Sequence, residues 1–220
     1  MPKLMFRGNE IADVTYTSGG GGGLPTFTET VIATGTSGGT VTFTDDYHDY
    51  PLLIIRLGNE YYTDNVTDLL VTPDLIDSIF DISQDIVVNE FQNNQYGVYA
   101  KTSATVWTRT ASRNVYISEV IGLTCDNYTV EETELYNKGY YDTQDTTIIG
   151  TDLFDYDMFV IASSVDGIQP NSIVTQKPIG LSGSYYKLGI TPYNRFSWAT
   201  VTDTEISSNP YHYVGGIKFT

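Results

Sequence analysis

The side chains able to carry acid–base or metal chemistry are few in this chain of 220 residues. Two histidines, His48 and His212, and one cysteine, Cys125, are present. A nucleophilic triad needs a histidine placed between a nucleophile and a carboxylate, and no serine here sits in an elbow motif. No catalytic residues are therefore expected. Carboxylates cluster twice, at Asp45, Asp46 and Asp49 and again at Asp152 and Asp155. Calcium takes oxygen ligands from loops of this kind. Neither cluster has the glycine-centred spacing of a calcium-binding loop, and Asp is favoured in turns because its side chain bonds backbone amides. The clusters are read as turns, with no metal and no cofactor. A carboxylate pair for glycoside hydrolysis would need a cleft, and nothing in the sequence marks one. A single cysteine excludes an intrachain disulfide and a cysteine-rich zinc site.

The aromatic residues are the stronger candidates for contact with a partner. The chain has 18 Tyr, among them three adjacent pairs: Tyr61 and Tyr62, Tyr140 and Tyr141, Tyr185 and Tyr186. Neighbours in a strand point to opposite faces, so one ring of each pair is a candidate ligand or interface group. Exposed Tyr stacks on sugar rings and anchors protein interfaces. Trp107 and Trp198 are expected in core positions.

The elements that must position these groups read as β-structure. Candidate strands run from Phe27 to Thr34, Thr40 to Thr44, Pro51 to Leu57, Ile86 to Phe91, Tyr96 to Arg109 and Asn114 to Leu123. A second series runs from Glu134 to Tyr136, Thr146 to Ile149, Asp157 to Ser163, Ile173 to Gln176, Tyr185 to Thr191, Arg195 to Asp203 and Tyr211 to Phe219. One helix is predicted over Pro73 to Phe80, with Thr72 as N-cap, Pro73 at the first helical position and Asp74 in the first turn. Residues 18–25 hold five consecutive glycines followed by Leu24 and Pro25. Such a run reads as a flexible tether. A phosphate-binding loop would need a following helix and usually a lysine, and neither follows. Residues 1–17 then form a separate arm with Leu4, Phe6 and Ile11 as its apolar contacts.

The body repeats itself. Val41 to Ile55 aligns without a gap on Thr147 to Ile161, so that Asp46, Asp49, Tyr50 and Ile55 recur as Asp152, Asp155, Tyr156 and Ile161. His48 aligns with Phe154, which suggests an aromatic packing role for the histidine. Gly35 is set against Gly139, with a two-residue insertion in the second copy, Trp107 against Trp198, and Val120-Ile121-Gly122-Leu123 against Val214-Gly215-Gly216-Ile217. The expected organisation is an N-terminal arm (1–17), a glycine linker (18–25), one β domain over 26–124 and a second over 127–220. The fold class predicted is all-β: two antiparallel β-sandwich or jelly-roll-like units in tandem.

Lys and Arg total 11 and the formal net charge is −16. Such a surface repels phosphate backbones, so no nucleic-acid partner is expected. The N-terminal MPKLMFRGNEIADV lacks an apolar stretch of signal-peptide length, and the longest strongly apolar run, Leu52 to Ile55, is far too short to cross a bilayer. No membrane insertion is expected.

The arm followed by SGGGGG, the block VTFTDDYHDYPLLII and the closing VGGIKF together resemble bacteriophage tail-fibre or baseplate-appendage proteins, of the kind found in phages of Gram-positive or gut bacteria. The resemblance implies a non-enzymatic virion protein made in the host cytoplasm. It implies a homotrimer whose arm docks to other tail or baseplate proteins and whose body attaches to the host cell surface, through a glycan. The chain lacks the long shaft and the intramolecular chaperone of many such fibres, which leaves a purely structural role, such as a head fibre or capsid decoration, as the alternative.

Overall fold

Runs rich in Val, Ile, Thr and Tyr, punctuated by Gly, Asn and Asp, form strands almost wherever they occur, and the fold is all-β with a single α-helix among the described residues. The computed structural model describes residues 3–6, 9–13, 25–61, 67–90, 95–137, 146–149, 153–163, 169–174, 184–190, 196–201, 204–208 and 211–220. An N-terminal pair, β1 (Lys3–Phe6) and β2 (Asn9–Asp13), precedes β3 (Phe27–Gly35), β4 (Thr40–Phe43), β5 (Leu52–Asn59) and β6 (Thr67–Val71). Helix α1 (Pro73–Ser83) leads to β7 (Asp85–Glu90), β8 (Gln95–Ser103), β9 (Val106–Arg113) and β10 (Val115–Cys125). The C-terminal half contains β11 (Val130–Asn137), β12 (Thr146–Ile149), β13 (Met158–Ser163) and β14 (Gln169–Val174). It ends with β15 (Ser184–Ile190), β16 (Phe196–Val201), β17 (Glu205–Ser208) and β18 (Tyr211–Phe219). Single 3-10 turns stand at Tyr47–Asp49 and Leu153–Asp155.

The first half forms one antiparallel eight-stranded sheet in the order β6-β5-β10-β3-β4-β9-β8-β7. The sheet curls so that β10 lies across β7 and β8, and the Ile117 amide on β10 donates to the Tyr99 hydroxyl on β8 at 2.7 Å. The second half forms two four-stranded sheets, β14-β13-β18-β11 and β12-β17-β16-β15. Strand for strand this is the order of the first half. The described residues show no β11–β12 pairing to match β3–β4.

The registers repeat as well. Val120 pairs with Ile55 and Gly122 with Leu53; Val214 pairs with Ile161 and Gly216 with Phe159. On the other side of the closing strand, Glu29 faces Leu123 and Glu132 faces Ile217. An irregularity falls at the equivalent step in each half, after Val120 and after Val214. Tyrosine and glycine share the packing that goes with this register. A Cβ on Gly216 would stand 2.7 Å from Cδ1 of Tyr156, and one on Gly122 would collide with the ring of Tyr50. Each closing strand therefore needs glycine where the tyrosine after the 3-10 turn seats its ring.

Gly139, set against Gly35 from sequence, lies outside the described residues. The register corrects the other alignment, that of the tryptophans. Trp107 lies on β9 opposite Val41, whereas Trp198 lies on β16 opposite Lys187. The residue of the second half that occupies the Trp107 position is Ser207, and Trp198 occupies the position of Tyr99. The tryptophans thus sit on non-equivalent strands, Trp107 on β9 and Trp198 on the counterpart of β8. The run from Tyr96 to Arg109, expected as one strand, is the β8–β9 hairpin.

The apolar core crosses the sequence boundary near residue 125. Trp107, Tyr99, Tyr47, Ile32, the β5 side chains and the helix side chains Leu75, Ile76 and Ile79 form one buried cluster. Met158, Val160 and Ala162 from β13, and Tyr213, Ile217 and Phe219 from β18, join that same cluster. The alternate residues Phe159, Ile161 and Val214 form a second cluster with Leu153 and Ile206. Period-two alternation explains the split: one face of the β13–β18 pair turns toward the first half and the other toward its own neighbours. Helix α1 packs against β13, β14 and β18 on the first of these faces.

Candidate functional site

Helix α1 organises the polar chemistry of the described structure. Its start follows from local sequence: the Thr72 side chain accepts from the Leu75 amide, Pro73 stands in the first turn and Asp74 adds a negative charge there. Its end lies one turn beyond the predicted Phe80, because Gln84 takes the left-handed conformation (φ 61°) and its N–H caps the Phe80 carbonyl.

Midway along the helix, Asp77 meets the Tyr47–Asp49 turn. The His48 ring lies between two carboxylates, with Nδ1 2.6 Å from Asp46 Oδ1 and Nε2 2.7 Å from Asp77 Oδ2. Asp46 also accepts from the His48 amide at 3.0 Å. The Tyr47 hydroxyl donates to the other oxygen of Asp77, and Lys101 on β8 donates to that hydroxyl at 3.0 Å. The Tyr47 and His48 rings stack with centroids 4.1 Å apart. The Lys101 ammonium lies 5.4 Å from the Tyr47 ring centroid and 5.8 Å from that of Phe80. This network joins the 3-10 turn, α1 and β8.

The electrostatics of the network favour fastening over proton transfer. Burial works against a charged His48 ring, but its hydrogen bonds to Asp77 and Asp46 outweigh burial and hold its pKa above the usual value. The backbone and ring hydrogen bonds of His48 hold Asp46 below the usual carboxylate range. Burial, reinforced by Asp77, pushes the Tyr47 phenol far up, so it keeps its proton. Both imidazole nitrogens face carboxylates, which leaves neither free to act as a base on a substrate. The sequence reading of His48 as a packing aromatic captured its stacking on Tyr47 and missed its two ionic partners.

A second polar group lies at the junction of the halves. Glu132 on β11 accepts from the Tyr213 hydroxyl at 2.6 Å and from the Thr72 hydroxyl at 3.1 Å. Tyr213 and Thr72 are buried. Burial pushes the Glu132 carboxyl up to about 7, with Asp74 and Glu134 adding to the rise against the two hydroxyl hydrogen bonds. Elsewhere Arg56, nearly buried on β5, is held by Asp68 at 2.9 and 3.0 Å and by Glu119 at 2.8 Å. Among the described residues no group of three or more His, Cys, Asp or Glu is arranged to hold a metal ion.

The candidate contact residues fall unevenly. Tyr61, just past the end of β5, is 74% exposed. Its amide donates to the Asn59 side chain at 2.9 Å. Beside it Glu60 pairs with Arg109 at 2.9 Å. Tyr62, Tyr140 and Tyr141 lie outside the described residues, as do residues 18–24 of the expected linker. Tyr185 and Tyr186 lie on β15, in register with Thr200 and Ala199. Leu4 and Phe6 lie on β1 and Ile11 on β2, and the two strands form a sheet of their own. His212 stands on β18. Comparison of the chain with protein-family models, with curated proteins and with solved structures found no match in any of the three.

Proposed function

We propose that the chain is a non-enzymatic attachment protein of a phage virion that holds a host cell-surface glycan, with Tyr61 as the stacking platform. The observation that carries the glycan reading is the Tyr61 corner. A ring that is 74% exposed stands on a backbone fixed by the Asn59 side chain, next to a carboxylate and a guanidinium. An aromatic face takes the C–H face of a pyranose, and flanking charged groups hydrogen-bond its hydroxyls. The repeated strand order and register support two β units in tandem as the body. The β1–β2 pair supports the docking arm: an isolated two-stranded hairpin is marginal in water and gains by joining a larger sheet. Assembly as a homotrimer would raise avidity for a repeating surface glycan.

A glycan array probed with the full chain, made multivalent on a bead, tests this reading. Binding to a defined class of surface polysaccharide is expected, lost with Tyr61→Ala and retained with Tyr61→Phe. Absence of binding at high valency, or binding indifferent to Tyr61→Ala, would overturn it in favour of a structural virion role.

A further inference from the structure

Helix α1 belongs to the first half of the chain but packs on a sheet of the second. The polar contact across that junction converges on one carboxylate. Oε1 of Glu132 receives the hydroxyl of Tyr213, from β18, and the hydroxyl of Thr72, the N-cap of α1. Thr72 therefore does two things at once: its oxygen accepts from Leu75 to start the helix, and its proton reaches across to β11. Gly215 on β18 leaves the space for the carboxylate, since a Cβ there would overlap Oε1. Among the described residues the polar groups facing this carboxylate are acids or hydroxyls. Tyr213 comes from β18, Asp74 and Thr72 from α1 and Glu134 from its own strand, while the β13 side chain nearest Gly215 is the apolar Val160. No Lys, Arg or His lies within ion-pair distance of Glu132 among the described residues.

We propose that Glu132 is a proton-operated latch between the two halves: protonated, it fastens the start of α1 to the β11–β18 pair, and ionised, it loosens them. Among the described residues this partly buried carboxylate has no cation, stands beside two further acids and is held by two hydroxyl donors, and its neutral form removes the desolvation and repulsion costs together. The direction follows from linkage. The folded-state value of about 7 lies above the ordinary carboxyl value of 4.5, so the closed junction binds the proton more tightly than the open one. Closure strengthens as pH falls from above 7 toward 4.5 and weakens as pH rises through 7. With those two values the opening equilibrium rises about tenfold between pH 6 and pH 8.

Hydrogen exchange of the full chain, followed by mass spectrometry from pH 5.5 to 8.5 and divided by the intrinsic exchange rate at each pH, reads this directly. The segments 72–80 and 130–136 are expected to lose about tenfold in protection between pH 6 and 8, while β8–β9 does not change. Glu132→Gln, which keeps an acceptor for Tyr213 and Thr72 but cannot ionise, is expected to flatten the profile at the low-pH level. Tyr213→Phe removes a donor that favours the ionised form and is expected to move the midpoint upward. A flat wild-type profile, a Glu132→Gln profile that keeps its slope, or a Tyr213→Phe midpoint that stays in place or falls would each overturn the proposal. The Tyr213 variant keeps the test decisive if Glu132→Gln does not fold.

Discussion

Alanine at Gly122 and, separately, at Gly216 probes the packing that the two halves share. In each half a tyrosine that follows a 3-10 turn seats its ring against the glycine of the closing strand. The nearest ring carbon of Tyr156 would stand 2.7 Å from a Cβ on Gly216, well inside the ~3.5–4 Å of favourable carbon–carbon contact. Forcing a methyl group into such a site costs about 1–3 kcal/mol. Restricting the unfolded chain by Gly→Ala returns about 0.4–1 kcal/mol. Tyr50 and Tyr156 are each half-buried, so the rings can give way in part, and the expected net loss is about 1–2 kcal/mol. For a chain of this size that lowers Tm by about 2–8 °C. The decisive measurement is a double-mutant cycle by guanidinium denaturation, followed through far-UV circular dichroism. Once Tyr50→Ala has removed the ring, Gly122→Ala should cost little or nothing, which gives a coupling of about 1 kcal/mol or more. If Gly122→Ala costs the same with and without Tyr50, or leaves stability within about 0.5 kcal/mol of wild type, the tyrosine seat is not what requires glycine there.

Two further outcomes are expected. An NMR titration of the His48 ring should give a midpoint above 6.5, because its hydrogen bonds to Asp77 and Asp46 outweigh burial; Asp77→Asn should lower that midpoint. The stability this ion pair adds is fully present below 6.5 and lost as pH rises through the folded value, and with the ring 45% exposed it amounts to a few tenths of a kcal/mol at most. A midpoint at or below 6.5 would contradict the network. Arg56→Met should cost about 2–3 kcal/mol in a urea melt, somewhat under the ~3–5 kcal/mol of a fully buried pair because Asp68 and Glu119 retain some water. Arg56→Lys should recover little of it, since lysine lacks the fork that spans both oxygens of Asp68.

What the sequence made legible was local. Thr72, Pro73 and Asp74 announce a helix start because capping is decided within one turn, and the structure places the N-cap at Thr72. The block from Val41 to Ile55 matched the block from Thr147 to Ile161 because turn and strand residues recur in order, and the β5 and β13 registers follow that match pair by pair. Strand identity was not legible. The β8–β9 turn at Ala104 and Thr105 contains no Gly, Asn or Pro, so Tyr96 to Arg109 reads as one strand. The tryptophans were matched by residue type, and type does not say which of two neighbouring strands a residue occupies. The His48 network was hidden for another reason: Asp77 is 29 residues away on the helix, and only the packing of α1 against the 3-10 turn brings the two together.

The same limit explains the most consequential difference between the halves. Glu29 and Glu132 occupy matching positions in the two halves: each precedes a threonine, each lies on the strand beside the closing strand, and their partners Leu123 and Ile217 match in register. Yet Glu29 is exposed, while Glu132 is half-buried and hydrogen-bonded to Tyr213 and the helix N-cap. Nothing in the strand itself separates them. The difference comes from α1, which lies against the β13–β18 face that turns toward the first half. The two halves share turns, registers and tyrosine seats because those depend on neighbours within each half. A contact made by one half on the other has no such counterpart. The residues that give this chain a behaviour beyond its fold are therefore to be sought where equivalent positions meet unequal surroundings, and Glu132 is the sharpest such position among the described residues.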